Sequence, residues 1–145
     1  MDRTTAKGCT MPSTADVTSK EVVQELYEGI FAGDLERVKK VIHPDFTFNI
    51  PPYLAWGGPG RGLEHFMSTI LPQVAGATDL SRLKVLTLIA EGEFVFVKLR
   101  TGVAGSSDTL IMMENWRVED GRIVEMELFY FDHRPFLNNP SAMAN

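Results

Sequence analysis

Apolar residues recur at helical spacing over the first half of the chain and alternate with polar ones over the second. Thr18 and Glu21 have the spacing of a capping box, and Val22, Val23, Leu26, Tyr27, Ile30 and Phe31 then form the stripe of a first helix. Gly33 ends that helix and Asp34 can cap the next. Leu35, Val38, Val41 and Ile42 give the second helix its stripe. His43-Pro44 stops it, because the residue before a proline is pushed out of the helical region. "DFTFNI" (45–50) alternates and predicts a short strand, and "PPYLAWGGPGRG" (51–62) predicts a loop. Leu63, Phe66, Met67, Ile70 and Leu71 mark a third helix, which Pro72 ends or kinks.

From there the period changes to two. Strands are predicted over 82–90, 93–101, 108–118 and 122–132. Glu91-Gly92 and Asp120-Gly121 suit tight hairpins, and "GVAGSS" (102–107) suits a looser one. Strands that follow helices and are joined by hairpin turns predict an antiparallel α+β fold. In 93–101, Phe94 and Phe96 share one face while Val95, Val97 and Leu99 share the other. A sheet with one wet face should alternate cleanly. The second apolar face is therefore expected to meet a partner subunit, with coverage by long loops as the alternative.

Composition narrows the class. At 145 residues, with 44% hydrophobic and 23% charged, the chain suits one globular domain. A net charge of -5 gives no long-range attraction for nucleic acid or anionic lipid. One cysteine, Cys9, allows no internal disulfide. No secretory core or apolar run of membrane-spanning length is visible, so the expected setting is the cytoplasm. Residues 1–17 read as a flexible N-terminal arm, 18–136 as a single domain and 137–145 as a flexible tail.

Three stretches carry a resemblance to a known family. "AGDLERVKKVIHPDFTF" (32–48) looks like a helix junction leading into a first strand, "LAWGGPGRGLEHF" (54–66) like a glycine-rich lead into a third helix, and "ENWRVEDGRIVEMELFYFD" (114–132) like a last hairpin. Together they resemble the nuclear transport factor two-like superfamily, in its branch of SnoaL-like polyketide cyclases and ketosteroid isomerases. That resemblance implies a cystatin-like cone, with three N-terminal helices packed on a curved, mostly antiparallel sheet around a pocket. It also implies a homodimer through the outer sheet face. Function is not fixed by it, because one fold hosts unrelated activities.

Candidate chemistry gathers on the last hairpin. Leu110, Met112, Glu114 and Trp116 share a strand face. By the resemblance, Glu114 falls where the isomerases carry a neutral oxyanion-hole acid, a role that needs desolvation. The alternative is a solvated Glu114, or one paired with Lys98 or Arg100. Met126, Leu128, Tyr130 and Asp132 share the parity of the last strand. Tyr130 could orient a ligand oxygen and Asp132 could act as a base. Core packing and a turn cap are their alternatives. The isomerases' general base corresponds to Ile50, which takes no proton, and their first-helix tyrosine to Leu26, one residue from Tyr27. Tyr53 and Trp56 either cover a flat ligand or plug the pocket. His43, His65 and His133 have no metal-ligand spacing. The expected activity is therefore cofactor-free proton transfer: cyclisation, isomerisation or dehydration of a small apolar, oxygenated molecule such as a polyketide. The catalytic set would be Glu114, Asp132 and Tyr130. Tyr27, Tyr53, Trp56, Met112, Trp116, Met126 and Leu128 would contact the ligand, with no metal. The competing reading is a non-catalytic module that binds a small ligand or dimerises.

Overall fold

The computed structural model describes residues 18–138 and 142–143. The expected N-terminal arm with Cys9, and part of the expected tail, lie outside these residues. Helix α1 (Ser19–Ala32) opens on a complete capping box: the Thr18 hydroxyl accepts from the Glu21 N–H, and the Glu21 carboxylate accepts from the Thr18 N–H. Gly33 closes it in the left-handed conformation, at φ 67°. Asp34 caps α2 (Leu35–Lys40) by accepting from the Arg37 N–H. That helix is shorter than its apolar stripe predicts. Ile42 already begins β1 (Ile42–Ile50), and His43-Pro44 lies inside this strand.

Two further differences concern Gly and Pro. The predicted loop contains a strand, β2 (Gly58–Arg61), paired antiparallel with β1. Gly60 lies beneath the Phe48 ring, so close that a Cβ there would overlap it. The third helix, α3, does not end at Pro72. It runs as Leu63–His65, a π-helical turn Phe66–Ile70, and Leu71–Ala77. Leu71 donates its N–H five residues back, to the Phe66 carbonyl. The wide turn accommodates the ring and missing donor of Pro72 without a break.

The meander follows as β3 (Thr78–Glu91), β4 (Phe94–Val103), β5 (Thr109–Glu119) and β6 (Arg122–Tyr130). Asp120 and Gly121 both have positive φ, 50° and 78°, as a tight hairpin turn of this type requires. The sheet has six strands in the order β2-β1-β6-β5-β4-β3. Among the described strands only the β1–β6 pair is parallel; it brings the first strand against the last. The result is a mixed α+β fold with a mostly antiparallel sheet.

Strand parity decides which side chains meet the helices. Val95, Val97 and Leu99 of β4 are fully buried beside Val22, Val23 and Leu26 of α1 in one core cluster. The intervening Phe94 and Phe96 are each 42% exposed on the outer face, with Met113, Phe129 and Phe131.

Candidate active site

The helices do not fill the space over the sheet. A cavity of about 380 Å³ remains, lined by residues of α1, α2, β1, α3 and β3–β6. Its wall is almost entirely apolar. Among the described residues that border it, Glu114 is the sole one with a formal charge. Two broader depressions, of about 710 and 510 Å³, lie open on the outside around Arg117. The smaller space is the candidate site, because enclosure and desolvation are what perturb a titratable group.

β5 carries Glu114 into this space. The residue lies opposite Val97 of β4 and Leu128 of β6, both inward-facing. Lys98 lies opposite Met113 instead, and Arg100 opposite Ile111, so neither cation pairs with Glu114. Tyr27 reaches down from α1 and donates its hydroxyl hydrogen to Glu114 Oε1. Trp116, two residues along β5, donates its indole N–H to the Tyr27 oxygen at 3.0 Å. Trp116 thus donates to Tyr27 and Tyr27 to one carboxyl oxygen, a chain in which each bond polarises the next. Oε2 has no partner among the described residues. The partial exposure of Glu114 is to the cavity that it borders.

Burial pushes the Glu114 carboxyl up to about 7, and the Tyr27 hydrogen bond pulls against that rise. Tyr27 itself is held well above the ordinary tyrosine range, first by burial and then by the adjacent carboxyl. Tyr130 is raised as well, by burial and by the charges of Glu114 and Tyr53. Its hydroxyl has no partner among the described residues, and it borders the cavity.

The structure brings together most of the predicted site. Tyr27, Trp56, Met112, Glu114, Trp116, Met126, Leu128 and Tyr130 all border the cavity. Two predicted residues do not. β6 ends at Tyr130, so the parity argument that placed Asp132 inside fails two residues early. Asp132 instead accepts from the backbone N–H and the guanidinium of Arg134, at 3.0 and 2.8 Å. Those bonds hold its carboxyl down at about 2, too low for a base near neutral pH. Tyr53 packs against the edge of the core without bordering the cavity, and its ring centre lies 4.3 Å from that of His133, while Leu54 and Trp56 are buried. The loop is a wall of the cavity through Trp56 alone.

Ile50 borders the cavity and is buried, so an apolar side chain stands at the place expected of a base. His65 stacks on Phe48 outside the cavity, and His43 lies at the outer depression. Among the described residues no three His, Cys, Asp or Glu side chains come together as metal ligands.

Sequence reasoning passed over the link between Tyr27 and Glu114. Its signal was available: Val23, Tyr27 and Ile30 follow a helical stripe that puts the hydroxyl toward the sheet. Thr101 was also missed. Its buried hydroxyl lines the cavity without a protein partner and continues the inward face of Val95, Val97 and Leu99.

Comparison with known proteins agrees with this architecture. A family profile described as "SnoaL-like domain" matches residues 23–126. No curated protein matches the sequence. Among solved structures, an NTF2-like protein from Burkholderia pseudomallei is 26% identical, with a TM-score of 0.68 over 84% of this chain and 97% of that one. An NTF2-like protein from Burkholderia thailandensis has a TM-score of 0.71 at 20% identity, covering 79% of this chain and 91% of that one, a likeness of fold. TerC, co-crystallised with polyporic acid, is 25% identical, with a TM-score of 0.65 over 83% of this chain and 97% of that one. A helix-covered cavity with one buried carboxyl, a profile match across most of the chain and these neighbours lead to one assignment: the chain belongs to the SnoaL-like family of the nuclear transport factor two-like superfamily.

Proposed function

We propose that this protein is a cofactor-free acid–base enzyme acting on a small, neutral, apolar molecule that carries oxygen. Glu114 is the proton carrier. Its free Oε2 takes a proton from a carbon beside a ligand carbonyl, and the electron pair moves onto the carbonyl oxygen. Tyr130 donates a hydrogen bond to that oxygen as its charge grows. The proton then returns to a second atom, which gives isomerisation, ring closure by aldol addition, or dehydration. A carboxyl that titrates near 7 can both accept and give back a proton at neutral pH. Tyr27 holds Glu114 in place throughout.

The observation that carries this reading is the single carboxyl in an apolar cavity, bonded on one oxygen and free on the other. The base role passes to Glu114 because Asp132 is engaged by Arg134 outside the cavity. Among the described residues no cation borders the cavity, so a carboxylate or phosphate ligand would meet Glu114 without a counter-ion. A neutral polyketide or related ring compound fits these terms, and the neighbour co-crystallised with polyporic acid supports that class.

The second reading is a pocket module that binds such a ligand without turning it over. Ile50, at the place where the isomerases keep a base, favours it. Deuterium exchange decides between the two. Ligands are first found by thermal shift across aromatic polyketides and steroid enones, since a ligand of the folded state raises the melting temperature. Loss of the ligand's α-proton in heavy water is then followed by NMR. Catalysis predicts fast exchange with the wild type and little with Glu114→Gln. Equal exchange with both proteins rejects Glu114 as the carrier.

The outer sheet face supports a homodimer. Phe96, Met113 and Phe129 lie in neighbouring strands there, and Phe131 is 89% exposed. Sedimentation of wild type against Phe96→Glu/Phe129→Glu tests it; a wild-type monomer at micromolar concentration refutes the dimer. Among the described residues no helix is long and apolar enough to cross a membrane. We propose the cytoplasm as its setting, since a net charge of -5 gives no attraction to an anionic membrane surface.

A further inference from the structure

The two ends of the cavity are built differently. Under the 51–57 loop the wall is doubled. Trp56 packs edge-on against Phe136, which is fully buried and packs in turn on Tyr130. Behind them the Ala55 N–H donates to the Ala142 carbonyl at 3.0 Å, and Leu54 pairs with Met143. Opening this end would expose aromatic surface and break backbone hydrogen bonds together.

The opposite end has no such reinforcement. Of the residues that border the cavity, three are also exposed to bulk solvent: Gly33, Leu35 and Ala75. Leu35 is 48% exposed. Gly33 and Leu35 sit at the α1–α2 junction and Ala75 on the last turn of α3, so the cavity wall reaches the surface at both elements. No hydrogen bond or ion pair of the described residues joins α3 to α1 or α2, so apolar contact alone holds the gap. The π-helical turn contributes to its shape. With Leu71 bonded back to Phe66, the positions Phe66, Ile70, Leu71, Val74 and Ala75 all border the cavity. A lone exposed leucine needs no explanation. Here it is continuous with an apolar interior.

We infer that ligands enter and leave between the α1–α2 junction and α3, and that Leu35 and Ala75 set which molecules pass and how fast. The rim residues that border the cavity are uncharged, and Asp34 between two of them is held as the cap of α2, so the opening suits neutral, largely apolar ring compounds. The inference rests on the cavity being the ligand site, as proposed above, and not on Glu114 moving a proton.

The chain supplies its own reporter. It has two tryptophans, Trp56 and Trp116, and both border the cavity. Stopped-flow quenching of their fluorescence by 2-naphthol measures association and dissociation directly. Leu35→Phe, Ala75→Phe and the double variant narrow the gap at exposed positions, and circular dichroism checks that each is folded. A gate slows entry and exit together. The double variant should therefore lose about tenfold or more in both rates, with Kd changing much less than either rate. Tyr53→Ala, at the other end and outside the cavity, should bind at wild-type rates. Wild-type rates in all three narrowed variants overturn the inference. So does slowing in Tyr53→Ala, or a wild type whose fluorescence naphthol never changes. A Glu114→Gln protein that binds normally but exchanges deuterium as fast as wild type ends the catalytic reading and leaves the gate standing.

Discussion

Glu114→Gln should make the protein more stable at alkaline pH, even though it removes the proposed proton carrier. In the folded state the carboxyl titrates at about 7; in an unfolded chain it does so near its ordinary 4.5. Below 4.5 both states hold the proton and the group contributes no difference. Between 4.5 and 7 the unfolded chain has released its proton while the folded chain keeps it. The unfolded state then binds fewer protons, and stability falls as pH rises. Above 7 both are ionised and the loss is complete. At about 1.4 kcal/mol per pH unit of separation, the full loss is on the order of 3 kcal/mol. Glutamine has nearly the same shape, can accept the Tyr27 hydrogen bond and never ionises, so it escapes that loss. Urea unfolding followed by tryptophan fluorescence at pH 4.5, 6, 7 and 8.5, at one fixed protein concentration, gives both curves. They should lie within ~1 kcal/mol at pH 4.5 and separate by roughly 3 at pH 8.5, variant above wild type. Other titrating groups are common to both proteins and drop out of the difference. Parallel curves, or a variant less stable at pH 8.5, would show that Glu114 is not held neutral by its surroundings.

Tyr27→Phe removes the one influence that lowers the Glu114 carboxyl, so the carboxyl should titrate above 7. A hydrogen bond to a charged group is worth ~1.5–3 kcal/mol, which moves the midpoint up by ~1–2 pH units; a carbon-13 titration of Glu114 with an unmoved midpoint contradicts this. Asp132→Asn should leave the cavity and any activity unchanged. The Asp132 carboxyl is depressed to about 2, so its stabilising effect is present above the unfolded value near 4 and is lost as pH falls toward 2. Thermal melts of the two proteins should therefore converge in acid, and a large activity loss in Asp132→Asn would return this residue to the site. Phe136→Ala should cost ~3–5 kcal/mol in urea unfolding, because a fully buried ring against Trp56 and Tyr130 leaves a cavity; a cost under about 1 would mean that this end of the pocket collapses freely.

Local rules read the helix caps and hairpins well because their causes are local. Thr18 with Glu21, Gly33 with Asp34, and Asp120 with Gly121 each contain the whole physics of their turn within four residues. Strand parity likewise put Glu114, Tyr130 and Leu128 on the inner face. It failed where the strand stopped. Nothing in "FYFD" says that Tyr130 is the last paired residue, so Asp132 was carried inward on a parity that no longer applied. β2 was invisible because its four residues, Gly58–Arg61, become a strand only by pairing with β1. Pro72 does not end the helix for a related reason: the rule for a proline stop assumes an α-helix, and the preceding turn is π. The hydrogen bond from Tyr27 to Glu114 joins residues 87 apart, a distance over which periodicity carries no information.

The parallel pairing of β1 with β6 has a consequence for synthesis. Residues 42–50 leave the ribosome long before residues 122–130, which give them their central neighbour. Until then β1 has only β2 on one edge; its other edge waits unpaired, and the apolar face of Phe46, Phe48 and Ile50 waits uncovered. Helix α1 waits too, because Tyr27 meets Glu114 and Trp116 only after β5 is made. The nascent chain must therefore hold an open strand edge and an apolar helix face through most of translation. Slowing elongation over residues 51–121 should lengthen that exposure and increase the demand for chaperones, whereas slowing after residue 130 should not.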